Sequence, residues 1–414
     1  MLTDTVITLP GNSTFSVAEV QKLREETAGT KNVIHLNNAG SGLMPDIVTQ
    51  AQLDHITLES QIGGYEAAAL KAASVRGFYE QCAILFNTKP GNIAFTSSAT
   101  DSYTRALSSI PFEKGDIILT DCDDFVSNQI QFLSLQKKFG VKIVHIKNAS
   151  IGGVDLDDLK EQLYRHLPRL LAITHIPTNS GLVQPVQEIA AIFAEYRNQY
   201  PDKTWYILDA CQSAGQMKID VQQLQCDFLS VTCRKFLRGP RGTGALFISD
   251  RVLQAGLEPL FIDMRGAEWK EKDSYIQQPD AKRFEDWEFA YSTVVGTRAA
   301  IEYCLHVGED RIWQQVKMLA AITRQKLAAL DKVSVLDRGP EQGALVTFHA
   351  AGGDPVHIVR ELGKRKINVV PSYRAFGIID FDEKGIKWAV RASPHYYNTL
   401  DEIDAFIDAL KEIL

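Results

Sequence analysis

The chain of 414 residues carries 44 Lys and Arg against 51 Asp and Glu, a formal net charge of −7, which lacks the basic footprint of a nucleic-acid binder. That length exceeds one small core and predicts a large domain with a smaller one, and a composition of 45% hydrophobic and 23% charged residues is that of an ordinary globular chain. No apolar run reaches the roughly eighteen residues of a membrane span, and MLTDTVITLPGNSTFS lacks the basic start and apolar centre of a signal peptide, so a cytoplasmic protein with no membrane partner is expected.

In chain order, short apolar runs end in polar or turn residues: NIAFTSS, DIILTD, VKIVHI, RLLAITHI, TWYILDA, DFLSVTC and GALFIS. These seven read as strands buried on both faces, with room between most of them for crossover helices, and predict an α/β domain with a largely parallel sheet. One such helix is VQEIAAIFAEYRNQY at 186–200, where Val186, Ile189, Ala190 and Phe193 recur at helical spacing. The polar stretch 263–284 is either an excursion near the active site or a solvated loop. From about Glu288 one long helical stretch leads into the strand-like VSVLD, ALVTFHA, NVVPSY and IKWAVRAS and a last helix, DEIDAFIDALKEIL. The expected division is an N-terminal segment 1–33 packing on the small domain, a large domain 34–287 and a small α+β domain 288–414.

Open α/β sheets bind ligands at the carboxyl ends of their strands, so the residues after each run deserve inspection. They are TSSATDS (96–102), CDDFVSN (122–128), THIPTNSG (174–181), DACQSAGQ (209–216) and TCRK (232–235). The TSSATDS turn either caps a helix with nothing bound or offers its N–H groups and hydroxyls to a phosphate. Asp209, after Trp, Tyr, Ile and Leu, needs a partner for its carboxylate. Lys235 supplies it directly as an ion pair, or a cofactor lies between them: a pyridine ring whose aldehyde joins the lysine and whose nitrogen faces the aspartate. Six cysteines without a CxxC pair fit reduced thiols, and no metal site is expected. Strand alternation should turn Cys211 and Cys233 away from the site, while His175 and His395 are expected to be hydrogen-bonded structural residues.

The order LNNAGSGLMP, TSSATDS, DDFVSN, THIPTNSG, DACQSAGQ, TCRKFLRGPRGTG and VRASPHYYNTLDEID resembles the class V aminotransferases, from about residue 34 to the C-terminus. The resemblance implies the type I fold of pyridoxal 5'-phosphate enzymes and a homodimer acting on an amino acid through an external aldimine and a quinonoid. It makes Lys235 the catalytic lysine that forms the internal aldimine and moves the proton. Asp209 would hold the ring nitrogen and Gln212 would donate to the phenolate oxygen. The phosphate falls to Ala99, Thr100, Thr232 and Arg234, Phe125 covers the ring with Asn128 nearby, and Arg391 binds the substrate carboxylate with Thr178 or Asn179 assisting. Trp287 and Glu288 lie where relatives reach the neighbouring subunit's phosphate with Ser or Thr.

Cysteine desulfurases of this family carry a cysteine on the loop before the C-terminal arginine motif. Here no cysteine follows Cys304, and the corresponding region reads PSYRAFGIIDFDEKG. The expected reaction is therefore β-elimination at a C–S bond without a persulfide cysteine, with amino transfer or epimerisation as the alternative.

Overall fold

The computed structural model describes residues 14–414, so residues 1–13 of the expected N-terminal segment lie outside the described residues. The first helix, α1 (Val17–Glu25), opens with a capping box in which Ser16 and Glu19 satisfy each other's backbone N–H groups. Its Arg24 donates to the Tyr397 carbonyl and to the Glu402 carboxylate, tying the start of the described chain to its end.

Helices α2 (Asp46–Ile62) and α3 (Ala72–Phe86) precede an alternating run. It consists of β1 (Ile93–Thr96), α4 (Ala99–Ser109), β2 (Ile117–Thr120), α5 (Val126–Phe139), β3 (Lys142–His145), α6 (Leu156–His166), β4 (Leu170–Thr174), α7 (Val186–Gln199), β5 (Trp205–Asp209), β6 (Phe228–Thr232) and β7 (Gly244–Ile248). The seven predicted strands form one sheet in the order β1-β7-β6-β5-β4-β2-β3. Only β7 runs antiparallel to its neighbours, so the other six strands point the same way and their carboxyl ends share one edge.

Both faces of the sheet are covered, which is why β1, β4, β5 and β6 are buried throughout. On one face α7 contributes Val186, Ile189 and Phe193 as predicted, and Tyr196 as well; on the other lie Tyr103 of α4 and Phe132 of α5. Burying one large apolar side chain stabilises by about 1.5–3 kcal/mol, so these layers make the strand ends a rigid platform.

The predicted long helical stretch is two helices, α8 (Tyr291–Val307) and α9 (Glu309–Ala328), separated by Gly308 at φ 93°. That backbone region is open to glycine, and the Gly308 N–H closes α8 on the Cys304 carbonyl. There follow β8 (Val333–Val335), β9 (Val346–Ala350), α10 (Pro355–Lys364), β10 (Val370–Tyr373), α11 (Ile378–Glu383), β11 (Trp388–Ala392) and α12 (Leu400–Ile413). Their strands form an antiparallel sheet, β8-β9-β11-β10, over a second core containing Phe348, Leu362 and Phe406.

The stretch 263–284 is neither structureless loop nor helix: Ala267–Glu271 and Ser274–Gln277 pair as an antiparallel hairpin. Apart from Ala267, both strands are largely exposed on both faces, so no apolar alternation marks them in the sequence. Among the described residues no helix is long and apolar enough to cross a membrane.

Candidate active site

Strand register builds the floor of the site. Thr174, Asp209 and Ser230 stand side by side on β4, β5 and β6, and the residues after them surround a cleft of about 330 Å³, a volume within the range of small-molecule sites.

At one end lies the N-terminus of α4. Ser98 caps it by accepting the Asp101 N–H at 3.1 Å, while Ser97, Ala99 and Thr100 line the cleft. The first N–H groups of a helix and the positive end of its dipole favour an anion. Glycine at 244 permits this close packing, because a Cβ there would stand 2.6 Å from Thr96 Oγ1 and 2.7 Å from the Ser98 backbone. Thr232 and Arg234 face the same cleft, joined by a 2.7 Å hydrogen bond from Arg234 Nη1 to Thr232 Oγ1. Arg241 also lines it, and sequence reasoning missed this residue because a charge in a glycine-rich loop reads as solvated.

Lys235 occupies the middle, only 8% exposed, with its Nζ 6.0 Å from the centre of the Phe125 ring. The amine forms no hydrogen bond or ion pair among the described residues; burial, with Arg234 adding to it, brings the amine down to about 8. A direct ion pair with Asp209 is therefore not what the fold builds. Asp209 is held from both sides instead: Oδ1 accepts the Cys211 N–H at 2.9 Å and Oδ2 accepts from Asn128 Nδ2 at 3.1 Å.

Arg391, buried on β11, donates through Nη1 to the Thr178 carbonyl at 2.8 Å and to Thr178 Oγ1 at 2.9 Å. Its Nε has no partner among the described residues. Burial and the nearby Arg234 bring the guanidinium down to about 10, so it stays charged at neutral pH. Gln212 donates to Ala39 O and Thr178 Oγ1, both at 3.2 Å, and leaves its buried Oε1 without a partner. Donation to a ligand from Gln212 thus requires one of those contacts to yield. Asn179 faces β10 and the chain just after it: it donates to the Phe376 carbonyl at 3.0 Å and accepts from Ser372. It braces the wall behind Thr178 and does not line the cleft.

Two expectations are corrected. Cys211 does line the cleft, because β5 ends at Asp209 and the turn that brings its N–H back to that carboxylate breaks strand alternation. Burial and the Asp209 charge push its thiol well above the ordinary range. His175 is not hydrogen-bonded: neither ring nitrogen has a partner among the described residues, and burial brings the ring down to about 4. Alternation on β4 explains it, since Thr174 points to the polar residues of the site and its neighbour turns away. His395 does make a bond, between Nε2 and the Phe236 carbonyl at 2.9 Å.

A profile of the aminotransferase class-V family matches residues 34–406. A "Probable cysteine desulfurase" of Pyrococcus abyssi is 26% identical over 404 residues, covering 95% of this chain and 97% of its own. Among solved structures, the apo cysteine desulfurase from Thermococcus onnurineus NA1 superimposes with a TM-score of 0.85 at 25% identity, covering 97% of this chain and 99% of that one. The cystine C–S lyase C-DES, solved with its product cysteine persulfide, gives a TM-score of 0.81 at 22% identity, covering 93% and 98%, and shares the fold.

Proposed function

This chain belongs to the aminotransferase class-V family, and we propose that it is a pyridoxal-phosphate lyase of that family that breaks a carbon–sulfur bond in an amino acid without taking the sulfur onto the protein. The observation that carries the reading is Lys235: a buried amine with no partner among the described residues, facing a fixed carboxylate in a cleft that ends on a helix N-terminus. A buried lysine without a counter-ion is costly unless it is used covalently or as a base.

The residues present fit the cofactor. Its phosphate matches the α4 N-terminus with Thr100, Thr232 and Arg234, its ring nitrogen matches Asp209, and Phe125 supplies an aromatic face. When bound, pyridoxal phosphate provides an electrophilic aldehyde and a ring that takes up electrons as a substrate Cα–H bond breaks. Lys235 is the base for that proton: with an amine near 8, a useful fraction is neutral at physiological pH. Asp209 keeps the ring nitrogen protonated, and Arg391 orients the substrate through its carboxylate.

Replacing Arg391 by lysine is expected to raise KM for amino-acid substrates by about 10- to 100-fold, the scale of one charge-assisted hydrogen bond, with little change in cofactor affinity. Titration of the cofactor's visible band alongside steady-state kinetics separates the two; equal losses in both would make Arg391 structural.

The relatives named as cysteine desulfurases take sulfur from cysteine, but this chain differs in where the sulfur can go. The segment after β10 that would hold an acceptor contains no cysteine and folds into α11. Of the six cysteines only Cys211 lines the cleft, and its thiol is pushed far from reactivity. A variant with all six replaced by serine or alanine is therefore expected to retain most of its turnover on cysteine conjugates, releasing pyruvate and a small sulfur product. A persulfide trapped on Cys211 with activity lost in Cys211→Ala alone would overturn this. Alanine, aspartate and kynurenine complete the panel, and pyridoxamine phosphate accumulation would make the protein an aminotransferase. A homodimer is part of the proposal, supported by exposed Phe261, Met264, Trp269 and Ile276 on and beside the hairpin.

A further inference from the structure

Behind Asp209 stands a second buried carboxylate for which the reaction above has no use. Asp124, 5% exposed, precedes α5 and makes no ion pair with Lys or Arg among the described residues. Neutral donors surround it instead. Its Oδ1 accepts from the Phe125 N–H at 2.7 Å, Thr174 Oγ1 at 2.7 Å and Asn128 Nδ2 at 2.8 Å; its Oδ2 accepts from Gln129 Nε2 at 2.9 Å and Thr120 Oγ1 at 3.4 Å.

The Asn128 amide connects the two acids. One nitrogen, carrying two hydrogens, donates to Asp124 Oδ1 and to Asp209 Oδ2. Its orientation follows from chemistry: turned over, the amide would set its oxygen against two carboxylate oxygens. With Cys211 N on Oδ1 and Asn128 on Oδ2, the plane of Asp209 is fixed from both sides. Apart from Asp209 itself, Asp124 is the one group among the described residues that holds the Asn128 nitrogen in place.

We propose that Asp124 is a positioning residue for Asp209, acting through the Asn128 amide to fix that carboxylate so that a ring nitrogen docked on it stays protonated to higher pH. The proposal rests on Asp209 being the partner of the cofactor's ring nitrogen. Other titratable groups face the same region: Asp121 and Asp123 from the loop itself, Tyr103 from α4, His145 through Gln129, and Cys211 after β5. The test must therefore isolate the amide link.

It uses the holoprotein reconstituted with pyridoxal phosphate labelled with 15N in the ring, whose chemical shift reports ring protonation directly as pH is raised. Asp124→Ala is expected to lower the midpoint by about one pH unit, on the scale of a nearby-group effect, with kcat reduced and KM little changed. Asp124→Asn, which keeps an acceptor for Asn128, should recover part of the shift. Asn128→Ala should match Asp124→Ala, and the double variant should go no further than Asn128→Ala, because one path is cut twice. A wild-type midpoint in folded Asp124→Ala, or additive shifts in the double variant, would overturn the proposal. If Asp124→Ala does not fold, Thr174→Val and Gln129→Met each remove one donor and should give smaller shifts in the same sense; none in either counts against it. Asp209→Asn separates the premise: if that variant leaves the ring protonated as in the wild type, Asp209 itself is misassigned, whereas a shift there with none in the Asp124 variants sinks only the positioning role.

Discussion

Lys235→Ala is expected to abolish the borohydride-reducible linkage to pyridoxal phosphate and to lower turnover by at least about 10³-fold, while the protein keeps its fold. Loss of a positioned general base alone is worth about 10²–10⁴-fold, and in the proposed role the same nitrogen would also hold the cofactor. Folding should tolerate the change well, because the amine forms no hydrogen bond or ion pair among the described residues and its removal leaves no partner stranded. The direction of the pH dependence also follows. The amine must be neutral to attack the aldehyde, and burial brings it down to about 8, so reconstitution of the wild-type apoprotein should quicken as pH rises through about 8 and level off above it. Stopped-flow absorbance reads this rate. A rate that keeps rising about tenfold per pH unit to about pH 10 with no levelling near 8, or a reducible adduct persisting in Lys235→Ala, would place the linkage on another lysine.

The strands were legible because a sheet covered on both faces leaves unbroken apolar runs, such as LLAIT and WYILD, that end where the polar site begins. The same regularity made the strand-end residues easy to single out: Lys235, Asp209, Phe125, Asn128 and Thr232 all line the one cleft. What the sequence hid is whatever depends on a direction of approach. Asn179 sits one residue past Thr178, yet it points to Phe376 because the turn after β4 faces the C-terminal sheet. Cys211 enters the cleft because a turn, and no longer a strand, sets its direction. Asp124 gave no signal beyond being one of three aspartates in TDCDDF, a cluster that in sequence reads as a solvated loop; only the fold shows the five donors around it. The hairpin at 267–277 was hidden for the opposite reason, since exposure on both faces erases the pattern that marks a strand.

Asp209→Asn is expected to keep the cofactor bound while turnover falls by about 10²–10⁴-fold, corresponding to the ~3–5 kcal/mol that follows removal of one partner from a buried charge pair. Two effects act together. An amide cannot hold a ring nitrogen protonated by charge, and it also conflicts with its surroundings. The carboxylate accepts from the Cys211 N–H on one oxygen and from Asn128 on the other, so an asparagine would have to set its own NH2 against one of these donors. Because the proposed phosphate end, with the α4 N-terminus and Arg234, would be untouched, affinity should drop far less than rate. Reconstitution with N-methylated pyridoxal phosphate, whose ring is permanently cationic, distinguishes the two effects: turnover in Asp209→Asn should recover in part if the lost function is the ring's positive charge, whereas the wild type gains nothing from the same analogue. Near-normal turnover of Asp209→Asn with the ordinary cofactor would show that the reaction does not draw on the ring as an electron sink, and no recovery with the methylated one would assign the defect to the disturbed contacts with Cys211 and Asn128.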